Sequence, residues 1–132
     1  MKPEVFVLCD FAQDNGGKLS LMGAFDTLVA RQLPVIHPYM CVATRLRFAV
    51  YELGKHAIRV EFRDPDDLLL IPPFDNGVKL ENISDDSGVT GLILQLAQVK
   101  FEKFGKHRVK LLVDGSEIAE APLYVRKATV SA

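Results

Sequence analysis

Apolar and polar residues alternate with a period of two along most of the chain, which is the pattern of half-buried strands. Glu4 to Ala12 opens it, with Val5, Val7, Cys9 and Phe11 on one face and Phe6 and Leu8 on the other. Lys18 to Ala30 follows, interrupted at Gly23-Ala24. In Tyr39 to Val50, Met40, Val42, Leu46 and Phe48 alternate with Cys41, Ala43, Arg45 and Arg47. In His56 to Arg63, Ile58, Val60 and Phe62 face in, and Arg59, Glu61 and Arg63 face out. A short apolar run, Leu68 to Ile71, and Val78 to Ile83 read as further strands. Val89 to Phe101 is long and mostly apolar, with a phase shift near Ala97 where a bulge fits. Phe104 to Val125 closes the chain as a hairpin turning on Asp114-Gly115. No stretch longer than about ten residues carries a convincing helical period.

Turn residues fall between these runs. Asp14-Asn15-Gly16-Gly17, Glu52 to Lys55, Asp64 to Asp67, Asp75-Asn76-Gly77 and Ser84 to Gly88 each punctuate the pattern. Two prolines keep Leu33 to Pro38 out of a central strand, so that segment reads as a connection from one sheet to the other. Gly54-Lys55-His56-Ala57-Ile58-Arg59-Val60 echoes Gly105-Lys106-His107-Arg108-Val109-Lys110-Leu111. Two such hairpins, one per sheet, predict an all-β, single-domain, two-sheet antiparallel β-sandwich over residues 1–132, with about seven to nine strands.

Composition narrows the functional field. The 16 basic and 17 acidic residues leave a net charge of −1, which argues against nucleic acid as the main partner. No run approaches the ~20 apolar residues of a membrane helix, and no leader pattern opens the chain, so a cytoplasmic protein is expected. Cys9 and Cys41 lie in strand runs and read as reduced, buried thiols.

The residues Phe104-Gly105-Lys106-His107, Leu112-Val113-Asp114-Gly115 and Pro122-Leu123-Tyr124-Val125 resemble the closing hairpin of immunoglobulin-like bacterial β-sandwiches. With Gly23-Ala24-Phe25-Asp26 and Gly54-Lys55-His56, the chain is similar to a family of uncharacterised short bacterial proteins. That resemblance implies an immunoglobulin-like sandwich and brings no catalytic residue. The cysteine pair around a core Trp is missing, because the chain has no Trp.

Several constellations invite a function. His56, His107 and His37 are candidate metal ligands or acid–base groups, although their spacing does not bring them together, and turn caps or strand-start packing explain them as well. Asp64, Asp66 and Asp67, with Asp85 and Asp86, suit a calcium loop or a solvated turn. Asp10, Asp26 and Glu52 are conceivable hydrolase carboxylates, but no nucleophile elbow or phosphate loop accompanies them. Arg45, Arg47, Arg59 and Arg63 project outward from two strands expected to pair as a hairpin. They form either an anion- or partner-binding face or a salt-bridged surface in which Glu52 and Glu61 offset the charge.

No catalytic residue, metal ligand or cofactor is assigned. The expected activity is a non-enzymatic binding or assembly module. The two-sided apolar first strand suggests a homo-oligomer associating through Phe6 and Leu8, since a strand apolar on both faces is usually covered on both. A small-molecule or carbohydrate site using Tyr39, Tyr51 or Tyr124 is the alternative, and a metal-dependent or carboxylate hydrolase the third.

Overall fold

The computed structural model describes residues 1–81, 83 and 85–129. Among them are nine strands: β1 (Lys2–Asn15), β2 (Lys18–Phe25), β3 (Thr27–Ala30), β4 (Val35–Ala49), β5 (Gly54–Arg63), β6 (Phe74–Leu80), β7 (Ser87–Phe101), β8 (Gly105–Val113) and β9 (Ser116–Lys127). One turn of 3-10 helix, Val50–Glu52, links β4 to β5. They form two sheets, ordered β2-β1-β4-β7 and β3-β9-β8-β5-β6. The second sheet curls into a half-barrel.

Turn chemistry sets the hairpins. Gly16 and Gly17 both take positive φ between the paired ends Asn15 and Lys18, and Asp14 Oδ1 accepts from Gly17 N at 2.9 Å. Asp114 (φ 52) and Gly115 (φ 84) turn β8 into β9 in the same manner. The repeated Gly-Lys-His segment is structural. Gly54 (φ 113) and Gly105 (φ 123) each start a strand in a backbone region that disfavours side chains. Those strands, β5 and β8, are antiparallel neighbours in one sheet, not members of opposite sheets as the repeat suggested.

Other expectations are corrected. The run from Lys18 to Ala30 is split at Asp26: β2 pairs with β1 in the first sheet, whereas β3 pairs in parallel with β9 in the second. The chain therefore changes sheet there, and returns through residues 31–34 into β4. Val35 to Pro38 belongs to β4. Pro38 is tolerated because β4 is flanked there by β7 alone, as β1 pairs with β4 only up to Cys41. Asp75-Asn76-Gly77 is strand, not turn, paired with Arg59, Ile58 and Ala57. Leu68 to Ile71 makes a single bridge, Arg63 to Leu69. Gln98 (φ 55) carries the phase shift expected near Ala97.

One core lies between the sheets. Leu8, Met40, Val42, Leu46, Val99 and Phe101 meet Ile58, Val60, Phe62, Val109, Leu111 and Leu123, and the Phe62 and Phe101 rings pack edge to face at 5.9 Å. A second cluster, Cys9, Ala12, Cys41 and Ala43, lies on the outer side of the first sheet under Val7, Leu19, Leu21 and Ile93. The tip of the β1–β2 hairpin reaches over this side. Arg45 Nη1 donates to Gly17 O at 2.9 Å, and a β-carbon on Gly91 would meet Asp14 Oδ2 at 3.3 Å. The chain thus covers most of both apolar faces of β1 by itself and leaves Phe11 exposed.

A candidate binding cleft between two free edges

The four arginines do not share a surface. Arg45 and Arg47 lie on β4 in one sheet, and Arg59 and Arg63 on β5 in the other, because β4 and β5 are joined by a sheet crossing and not by a hairpin. Each pair is closed by one carboxylate. Arg45 Nε and Arg47 Nε donate to Glu4 at 3.0 and 2.7 Å, and Arg59 Nε and Arg63 Nε donate to Glu61 at 2.9 and 3.0 Å. The arginine hydrogen bonds, Arg47 first for Glu4 and Arg63 first for Glu61, hold both carboxyls below the usual carboxylate range. Asp75 adds a second acid to Arg59 at 3.0 Å. Glu52, expected to offset arginines, instead pairs with the amino terminus and accepts from Ala49 N at 3.0 Å.

The acidic turn has its own cation. Lys103 Nζ donates to Asp64 Oδ2 at 2.8 Å and to Asp66 Oδ2 at 2.7 Å, while Asp64 Oδ1 accepts from Asp66 N and Leu68 N. Among the described residues, no group of three or more His, Cys, Asp or Glu side chains is placed to hold a metal ion.

The histidines are apart. His56 binds two acceptors, Asp114 Oδ2 and Glu52 O, each at 2.6 Å, which joins the start of β5 to the β8–β9 turn. Asp114, then the Glu52 carbonyl, raises its pKa above 6.5. His107 is fully buried at the other end of the same sheet, its ring edge to face with Phe101 at 5.2 Å. Its Nδ1 donates to Gly105 O at 3.2 Å, Nε2 has no partner, and burial lowers its pKa. His37 packs near Phe25. Asp10 lies against Gly23, and Asp26, at the sheet crossing, accepts from Thr27 Oγ1.

Leu8 is 1% exposed and belongs to the core, which removes it from any association surface. Phe6 is half-buried beside a surface cavity of about 410 Å³ with Phe25, Glu120 and Pro122. Tyr39 Oη accepts from Cys41 Sγ at 3.2 Å, Tyr51 is 86% exposed, and Tyr124 lies under Arg126. The three rings thus lie on three different elements. Cys9 and Cys41 are free, buried and directly opposed across β1 and β4.

A cleft opens elsewhere. β6 and β7 end their respective sheets and do not pair, so the space between the sheets is open along that side. Two adjoining cavities occupy it. One, of about 160 Å³, is lined by Thr44, Leu46, Ile58, Val78, Thr90 and Leu92 among others. The second, of about 220 Å³, continues over Val60, Phe62, Phe74, Leu94 and Leu96 and is bounded by Ile71-Pro72-Pro73. Successive inward residues of β4 (Val42, Thr44, Leu46) and β5 (Ile58, Val60, Phe62) floor both, which makes them one elongated apolar trough. Its polar groups gather at the Thr90 end. Asn76 and Thr90 line it there, and Thr44 Oγ1 is buried without a hydrogen-bond partner. Period-two patterning marked these side chains as inward, but it does not say which edge strands stay unpaired.

A family model described as a family of unknown function (DUF6941) matches residues 4–126. No match is found among curated proteins. Among solved structures, the Pseudomonas fluorescens alkylpurine DNA glycosylase AlkC bound to DNA containing an abasic site analog is similar to the chain, with a TM-score of 0.52 at 10% identity. The likeness covers 95% of this chain and 30% of that one, and at such identity it is a likeness of fold. No helix among the described residues is long and apolar enough to cross a membrane.

Proposed function

The chain belongs to this family of unknown function, and from its geometry we propose a non-enzymatic binding module whose seat is the trough between β6 and β7. The observation that carries the proposal is the trough itself: an apolar cleft with a few polar groups at one end, open between two free strand edges. Its shape and lining suit a linear apolar molecule with a single hydrogen-bonding head near Asn76, Thr90 and Thr44. The charged clusters support the same view, because Glu4, Asp64 and Asp114 each join one segment of the chain to another and Glu61 is closed by the arginines of its own strand. The proposal also takes the two sheets as an immunoglobulin-like β-sandwich opened along one side. Support comes from the mainly antiparallel ladders and the shared core. The buried thiols Cys9 and Cys41 fit a cytoplasmic setting.

Thermal unfolding with a homologous series of n-alkyl carboxylates tests it. Ligand that binds only the folded state raises Tm, by an amount that grows with affinity. Tm is expected to rise with chain length until the trough is full, and Val78→Trp, which fills the trough, should abolish the rise. A series with no dependence on chain length, or the same dependence in Val78→Trp, would overturn the assignment.

A further inference from the structure

We propose that the trough selects an uncharged head group that both donates and accepts hydrogen bonds, as a primary alcohol does, and that Thr44 is the residue that reads it. The inference rests on the trough as the binding seat. Alternation along the walls sends their charges to the opposite faces. On β4, Arg45 and Arg47 alternate with Thr44 and Leu46. On β5, Arg59 and Glu61 alternate with Ile58 and Val60, and on β6, Asp75 and Lys79 alternate with Asn76 and Val78. β7 has no charged residue from Ser87 to Val99. Among the described residues, none that lines either cavity is charged. His56 shares the inward face of β5, opposite Val78, but Asp114 and Glu52 O hold both of its ring nitrogens. A carboxylate drawn into such a place would leave water without gaining a counter-charge, which costs far more than burying a hydroxyl.

The polar residues set the other half of the selection. Thr44 and Thr90 are diagonal neighbours in the first sheet, since Thr44 pairs with Leu92 and Thr90 with Leu46. Asn76 lines the same cavity from the second sheet, where it pairs with Ile58. Packed sheets stand about 10 Å apart, which is too far for a direct hydrogen bond between short side chains. Thr44 Oγ1 is accordingly buried without a partner, in a residue only 1% exposed. A hydroxyl and a side-chain amide each offer both a donor and an acceptor. A ligand group set among them answers all of these only if it also donates and accepts. The hydroxyl of an alcohol does so, whereas an ionised carboxylate only accepts. Because the trough is open along its side, a carboxylate can still lay its chain there and keep its charge in water.

Isothermal titration calorimetry at neutral pH, with straight-chain primary alcohols and carboxylates of matched length, tests the inference. Both series should tighten as the chain lengthens, and the alcohol should be the tighter ligand at each length. Any apolar pocket favours the less hydrated ligand, so the decisive reading comes from Thr44. Thr44→Val, which keeps the shape and removes the hydroxyl, should weaken the alcohols by roughly tenfold, the upper range for one neutral hydrogen bond. The same change should leave the carboxylates unaltered, and Thr44→Ser, which keeps the hydroxyl, should retain the alcohol preference. Equal affinities for the two series, or an alcohol preference untouched by Thr44→Val, overturn the inference and leave the trough standing as a binding seat. An equal loss in both series on Thr44→Val also overturns it, since Thr44 would then contribute shape alone. Affinities independent of chain length in both series overturn the trough reading and this inference with it.

Discussion

His56 sits between a carboxylate and a carbonyl, so both ring nitrogens face acceptors and the imidazolium is the form the site holds. Its folded pKa lies above 6.5, with Asp114 the main cause. A raised pKa contributes stability that is fully present below the unfolded value and is lost as pH rises through the folded value. Asp114→Asn is therefore expected to lower the His56 pKa, read by NMR titration, and to flatten the decline of stability as pH rises from 6.5 through that pKa. His107 has the opposite sign. Burial holds it neutral, so the unfolded chain binds the proton first and stability falls as pH drops through 6.5 and below. Thr44 offers a third residue-scale test. Its hydroxyl is buried without a partner, and a buried unpaired hydroxyl costs more than it returns. Thr44→Val is expected to stabilise the fold by about 1 kcal/mol in chemical denaturation. A loss of similar size would mean that a water satisfies the hydroxyl.

Strands rather than residues decide what β1 does. One face packs on the second sheet and part of the other lies under the folded-over hairpin tip, and Leu8 is buried where Phe6 is half-buried, so the two should behave differently. Leu8→Ala, in the core, is expected to cost about 2–5 kcal/mol by chemical denaturation. Phe6→Asp should cost less, and light scattering should show no change of oligomeric state. At Gly23 (φ 68) an added β-carbon would lie 2.3 Å from Asp10 Oδ2, but Asp10 is exposed and free to turn away. Gly23→Ala is therefore expected to cost about 1–2 kcal/mol from backbone strain, with no relief from removing the Asp10 side chain. These elements also show what the sequence made legible. Alternation gave the inward sets of β4, β5 and β8 correctly, and Asp-Gly and Gly-Gly gave the turns. Alternation assigns faces, however, and not neighbours. It did not separate β2 from β3 at Asp26, where the strand-like pattern continues across a change of sheet. It read Asp75-Asn76-Gly77 as a turn because the clasp that holds it in a strand, Arg59 on Asp75, is sixteen residues away in sequence. The arginine quartet failed for the same reason, since the face of each strand was right and the sheet was wrong. The trough was invisible because it consists of what β6 and β7 do not pair with.

On the scale of the molecule, the two sheets have separate ladders but one interior. Phe62 and Val109 from one sheet touch the same space as Val42, Leu94 and Phe101 from the other. The trough reduces that shared contact along the β6–β7 side, while β1 meets β9 on the opposite side. Stability should therefore be global in the middle and local at the open side, because opening free energies follow burial and contact density. In native-state hydrogen exchange, amides of β4 and β8 should be the last to exchange, and those of β6 should exchange earlier. Phe62→Ala removes a fully buried ring from the common interior and is expected to cost about 3–5 kcal/mol. If the interior is one unit, that loss should lower protection in β4 and in β8 by the same free energy, although Phe62 belongs to the β8 sheet alone. Loss confined to β5 and β8 would mean that the sheets unfold separately, and the trough would then be a seam between two weakly joined halves instead of a pocket in one.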